Sequence, residues 1–225
     1  MVFTRGRTSQ KRLEIAWRVP VYQGSAFAHT GTSNVLSREK AFAFIRGTDP
    51  RPLLVLRECH MCSGTDFALL RRATNNERTM LLTRWFRCVK LPSSVLDKDH
   101  ALRELFPRKQ PPHLFFATTD AKQIITLPGN QTPSAVWKCM TKILRESYEG
   151  SPSKAVKQLL VTLDKFDTLD SKQTQVRRRL DRTLETAGPK SRKFKELKAQ
   201  FDALEKQRKA LLAREKKLSD LGLKK

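Results

Sequence analysis

Two hydrophobic rhythms divide the chain: short apolar runs of mixed period up to about residue 148, and one long three-and-four period beyond residue 150. In the first part, Ile15, Trp17, Val19 and Val21 alternate with polar positions and predict a half-buried strand over 13–22, with Pro20 marking an edge or an end. Residues 1–10 are polar and basic without period and read as a disordered arm, and 23–34 are a Gly/Ser/Thr-rich loop. Ser37, then Glu39 and the apolar run Ala41 to Ile45, predicts an N-capped helix that stops at Gly47. Leu53-Leu54-Val55-Leu56 has no alternation at all, the pattern of a short strand covered on both faces. Phe67, Leu70 and Ala73 predict a helix over 63–76 closed by Asn75-Asn76. The looser alternation over 79–91 reads as another interior strand, and 97–106 as a short helix with Leu102, Leu105 and Phe106 on one side. Pro111-Pro112 precedes a strand through His113-Leu114-Phe115-Phe116-Ala117. Thr119-Asp120-Ala121 turns it into a strand over 123–127, and Pro133 opens a helix with Val136, Met140 and Leu144 on one face.

Beyond residue 150 the pattern is that of two long helices. The first, over 153–186, carries a stripe from Leu159 and Leu163 through Phe166, Leu169 and Gln173 to Leu184; Gly188-Pro189 breaks it. The second has a cleaner heptad, Phe194, Leu197, Phe201, Leu204, Arg208, Leu211, Glu215 and Leu218. The short connection favours an antiparallel αα-hairpin. Arg208 and Glu215 at seam positions imply either an imperfect seam or a second chain covering it, which leaves a homodimer through this hairpin open. The expected organisation is a basic arm over 1–12, an α/β domain over 13–149 and a basic coiled-coil hairpin over 150–225.

Charge adds a possible class of partner. The chain carries 45 Lys+Arg against 22 Asp+Glu, a net +23, and the hairpin is the most basic third. Such a field draws polyanions whatever the fold, so an anionic partner, nucleic acid or acidic protein, is one reading, and a solvated basic face without a partner is the other. Arg177-Arg178-Arg179 with Arg182, and Lys190, Arg192, Lys193 and Lys195, bracket the hairpin tip without interleaved aromatics that would stack bases. No run of about 18 apolar residues exists, so no transmembrane segment is expected. The N-terminus has basic residues but no apolar stretch behind them, which places the chain in the cytoplasm; a trimmed or mis-assigned start would hide an export signal.

The chemistry sits at Cys59-His60-Met61-Cys62, directly after the apolar strand. Two intervening residues let both sulfurs lie on one helical turn, with the first at a helix N-terminus, where backbone N–H groups favour a thiolate. The dithiol either exchanges disulfides or holds a metal. Cys88 and Cys139 fall in predicted regular elements and read as small buried hydrophobes. No second CxxC completes a Cys₄ zinc site.

With Pro112 ahead of a strand and a hairpin, the CxxC makes residues 13–148 resemble the thioredoxin superfamily. The resemblance implies a central mixed sheet flanked by helices and thiol-disulfide oxidoreductase or redox-sensing chemistry on disulfide-containing protein substrates, with no cofactor. It implies Cys59 as the attacking nucleophile and Cys62 as the resolving thiol. It further implies Pro112, His60 and Met61 as substrate-binding residues, Pro112 as a cis-proline shaping a peptide groove and His60 also tuning the thiolate; simple packing over the dithiol is the other reading of Met61. Glu58 stands where the family usually has Trp, and Leu53 where many members bury an acid. Two alternatives stay open: a non-catalytic thioredoxin-like scaffold whose hairpin binds a partner, and a copper-binding chaperone using the dithiol and His113.

Overall fold

A computed structural model describes residues 5–22, 35–59, 68–71, 75–107, 109–128 and 130–224. The chain divides into two compact units, 15–153 with 221–225, and 154–220 with 1–14.

The first unit is built on a four-stranded mixed sheet: β1 (Leu53–Arg57), β2 (Arg87–Leu91), β3 (Leu114–Ala117) and β4 (Ile124–Leu127), in the order β2-β1-β3-β4. β1 pairs parallel with β2 and antiparallel with β3, and β3 pairs antiparallel with β4. All five residues of β1 are buried, which explains why its sequence does not alternate. On one face Leu53 and Val55 join Val89, Phe115, Ala117 and the Ala41, Phe42 and Ile45 side of the helix Arg38–Arg46. Ser37 caps that helix, accepting from the Lys40 N–H, and Gly47 ends it at φ 56°. On the other face Phe86 lies against Phe116, ring centroids 5.6 Å apart, and the helix Pro133–Ser147 packs on β3. Each fully buried Leu or Phe here contributes about 1.5–3 kcal/mol.

Several expected elements differ. The strand over 13–22 is reduced to one parallel bridge, Arg18 to Val89, because Val19 and Val21 face solvent and give no second row of burial. The stretch 79–91 is a helix, Glu77–Thr83, followed by β2; Met80, Leu81 and Leu82 are buried in succession, so an enclosed helix imitated an irregular strand. Over 97–106 there is one 3₁₀ turn, Arg103–Leu105, preceded by another at Ser93–Leu96, instead of an α-helix, although Leu102, Leu105 and Phe106 are buried as expected. The helix predicted over 63–76 falls largely outside the described residues, and Asn76 opens the helix Glu77–Thr83 instead of closing one. The loop over 23–34 also lies outside them.

A polar clamp fixes the entry to β1. Asp49 accepts from Arg51 Nη2 at 2.7 Å and from Arg51 Nε at 3.0 Å, and Arg87 Nη1 stands 3.6 Å away. The Arg51 hydrogen bonds hold the Asp49 carboxyl below its ordinary pKa, against the burial that would raise it. A depressed folded pKa stabilises above the unfolded value, about 3.9, and that contribution is lost as pH falls through the folded value. Asp49→Asn is therefore expected to cost about 1–2 kcal/mol in urea unfolding at neutral pH, and less at about pH 3. An undiminished difference in acid would remove the charge from this account.

The second unit is the hairpin, helices Pro152–Ala187 (from Lys154) and Arg192–Ser219 (completing the α set α1 Arg7–Gln10, α2 Arg38–Arg46, α3 Glu77–Thr83, α4 Pro133–Ser147, α5 and α6). Gln173 donates to Glu205, and Arg208 to Asp170 at 2.9 Å; both pairs are equidistant from Pro189, so α5 and α6 run antiparallel. The basic arm is not disordered from Arg5 onward. It forms α1 and a 3₁₀ turn, Lys11–Leu13, with Ser9 and Leu13 buried within this unit. Arg12 reaches Glu215 at 2.7 Å, and Arg208 Nη2 donates to Thr8 Oγ1 at 2.9 Å. The two polar seam positions are thus answered by the chain's own N-terminal segment, so they give no reason to invoke a second copy.

Candidate functional site

The site grows from the carboxyl end of β1, where ligands gather in open α/β sheets. Past Arg57, the Glu58 N–H donates to the Leu91 carbonyl at 2.8 Å and extends the pairing with β2. The Arg57 N–H donates to the His113 carbonyl at 2.8 Å and extends the pairing with β3. The segment carrying Cys59 therefore leaves the sheet between the end of β2 and the Pro111-Pro112-His113 approach to β3. Cys59 and the Pro111-Pro112-His113 segment, some fifty residues apart in sequence, are thus brought to one end of the sheet.

Cys59 is disulfide-bonded, whereas Cys88 and Cys139 are free thiols. His60, Met61 and Cys62 lie outside the described residues. Burial pushes the Cys88 thiol up to about 12, and it also raises Cys139, so neither is prepared to ionise near neutral pH. Pro112 follows a trans peptide bond; no cis bond occurs among the described residues, which corrects the cis-proline expectation. Pro112 does line a small cavity of about 100 Å³ with Phe42, Leu105, Pro107, Phe115 and Ile124. A larger groove, about 440 Å³, lies in the hairpin between Leu169 and Leu211 and is not part of this site.

Arg57 is the residue sequence reasoning missed. It is only 6% exposed, and its guanidinium donates to the carbonyls of Glu58 at 3.2 Å and of Pro111 and Pro112, each at 3.4 Å. Its Nη2 also stands 3.3 Å from His113 Nδ1. A guanidinium only donates, so this contact requires Nδ1 as an acceptor and a neutral imidazole carrying its proton on Nε2. Burial, and then the Arg57 charge, lower the His113 pKa accordingly. No carboxylate pairs with Arg57 among the described residues, and carbonyl dipoles hold it instead. Its sequence signal was a lone cation ending an otherwise apolar strand, two residues before a cysteine.

This geometry bears on the metal alternative. Among the described residues no three His, Cys, Asp or Glu side chains cluster as metal ligands. A guanidinium against His113 Nδ1 occupies that nitrogen and sets a positive charge beside it, so His113 is a poor metal ligand. What the arrangement offers is a buried cation, held by three carbonyls, two residues before Cys59. No helix among the described residues is long and apolar enough to cross a membrane. No protein-family model, no curated protein and no solved structure matches the chain.

Proposed function

We propose that the α/β unit is a thioredoxin-like dithiol–disulfide oxidoreductase or redox-sensing adaptor acting through Cys59 and Cys62. The observation that carries this reading is the disulfide-bonded Cys59 at the carboxyl end of the central strand, beside the Pro111-Pro112-His113 segment tied there by Arg57. The mixed sheet with helices on both faces supports it, being the architecture the resemblance implies.

In the reducing direction, the Cys59 thiolate attacks one sulfur of a substrate disulfide, forming a mixed disulfide and releasing one substrate thiolate. Cys62 then attacks the Cys59 sulfur, releases the second substrate thiolate and leaves the Cys59–Cys62 disulfide, so two electrons pass to the substrate. Arg57 would stabilise the Cys59 thiolate, and Pro112 would border the bound peptide.

Cys62→Ser removes the resolving thiol and is expected to accumulate a dithiothreitol-sensitive mixed disulfide on Cys59 with a reduced-then-challenged protein disulfide such as insulin. Cys59→Ser is expected to abolish both the adduct and insulin reduction. No adduct with Cys62→Ser, together with wild-type insulin reduction no faster than free dithiothreitol, would refute the reading. One observation favours a second reading, a non-catalytic scaffold: the trans Pro112 departs from the docking loop that the resemblance implies.

A further inference from the structure

We infer that the tip of the α5–α6 hairpin is a binding surface for the phosphate backbone of double-stranded nucleic acid. The hairpin's cations fall into two populations. Toward its open end Arg5 is neutralised by Asp164 and Asp167, Arg12 by Glu215, and Arg208 by Asp170, and the exposed lysines there are spread along the helices. Those at the tip are not neutralised. In the last three turns of α5, ahead of its final one, stand Arg177, Arg178, Arg179 and Arg182, all exposed, and none of them makes an ion pair among the described residues. Across the turn, Lys190, Lys193 and Lys195 are equally exposed and make no ion pair among the described residues, whereas Arg192 has a carboxylate, Glu196 at 2.8 Å on its own helix.

This concentration opposes the stability of the hairpin itself. The first turn of α6 contains no acidic residue, so its cations stand at the positive end of the helix dipole and repel those near the end of α5. An anion docked there relieves both effects.

The density of charge selects the class of anion. From Arg177 to Ala187 the helix rises about 15 Å, so the tip presents its cations over a length in which a duplex carries about nine phosphate charges. Protein surfaces mix the two signs and rarely match such a density. A lipid surface would require apolar side chains to insert, and at the tip only Leu184 is substantially exposed, at 46%. Single strands are gripped by stacking on aromatics, and the one aromatic here, Phe194, is half-buried. Backbone contact with a duplex, indifferent to base sequence, is what remains. Four arginines add forked donors that engage phosphate oxygens in pairs.

The test is fluorescence-anisotropy titration of the full chain against a duplex RNA and a duplex DNA of about 20 base pairs over a series of salt concentrations, where log K should fall linearly with log salt. Replacing Arg177, Arg178, Arg179 and Arg182 together by Gln is expected to weaken binding at least tenfold and to reduce the salt slope by about 3. A control removes the same charge away from the tip, Lys165, Lys172, Lys209 and Lys216 to Gln, and is expected to lose much less. Circular dichroism melting checks that both variants stay folded. Equal losses in the two variants would overturn the assignment to the tip. Tighter tip-dependent binding to polyglutamate, or to phosphatidylserine vesicles, than to either duplex would overturn the assignment to nucleic acid.

Discussion

Arg57→Met is expected to lower the stability of the α/β unit by about 2–4 kcal/mol and to slow alkylation of reduced Cys59 at neutral pH by about tenfold. The first effect follows from the carbonyls. Pro111, Pro112 and Glu58 direct oxygens at the guanidinium, and a thioether of similar length supplies no donor in return. The three bonds are long, so each is worth less than an ideal charged hydrogen bond, and removing a desolvated cation offsets part of the loss. The second effect follows from the proposed function: a buried cation two residues ahead of Cys59 would favour a thiolate there, and its removal would slow the thiolate's reaction. Arg57→Lys separates the two, since it keeps the charge but replaces the planar fork by a single ammonium. Its alkylation rate should stay near wild type while its unfolding midpoint falls. His113 gives an independent readout. Its pKa is held down by burial first and by the Arg57 charge second, so proton NMR titration of Arg57→Met should move it upward, toward 6.5. An unmoved His113, or a Cys59 as reactive in the Met variant as in wild type, would show that Arg57 only braces the loop.

What could be read from the sequence divides along the same physical lines. β1 was legible because a strand covered on both faces needs no alternation and has no competing explanation when it is only four or five residues long. α2 was legible from its ends, Ser37 and Gly47, where side-chain capping and a positive φ each demand particular residues. The Thr118 to Gln123 turn was legible for a related reason: Asp120 accepts from Thr118 Oγ1 at 2.6 Å and from the Lys122 N–H at 3.1 Å, local bonds that only short polar side chains make. α3 failed where local pattern stops discriminating, since a seven-residue helix packed on α4 with every residue but Arg78 buried, polar ones included, has no exposed face to set its period. At the site, the order of motifs placed Cys59 and Pro112 at one end of the sheet. Arg57 escaped notice because nothing local distinguishes a buried arginine from a strand-ending exposed one; its burial is decided by carbonyls contributed from residues 111 and 112. The same holds for Arg208 and Glu215, whose partners lie some two hundred residues away at Thr8 and Arg12.

Deleting residues 2–13 is expected to destabilise the hairpin by about 4–6 kcal/mol while leaving the hairpin sequence intact. Leu13 is 2% exposed, and burying a leucine fully contributes about 2 kcal/mol. Ser9, fully buried, donates to the Leu163 carbonyl at 3.1 Å, a bond of about 1 kcal/mol that no water replaces cheaply. Arg12 lies over the Phe166 ring at 4.3 Å and pairs with Glu215, while Arg5 and Thr8 hold Asp167 and Asp170; partly exposed as these groups are, each pair adds only some tenths to about 1 kcal/mol. Together they turn two helices, which bury little apolar surface as a pair, into a three-layered unit. The truncated chain should therefore lose amide-exchange protection along α5 and α6 by two orders of magnitude or more, since each 1.4 kcal/mol is a factor of ten. Substituting Leu13→Asp alone should reproduce about half of the loss in free energy, because it removes the buried apolar contact and leaves the ion pairs in reach. Sedimentation distinguishes this account from one in which a second chain completes the seam. With the N-terminal segment in place the polar seam positions already have partners, so the full chain should sediment as a monomer, and only the truncated one should self-associate through the uncovered face. A full chain that dimerises, with a dimer undisturbed by Leu13→Asp, would return Arg208 and Glu215 to an intermolecular seam.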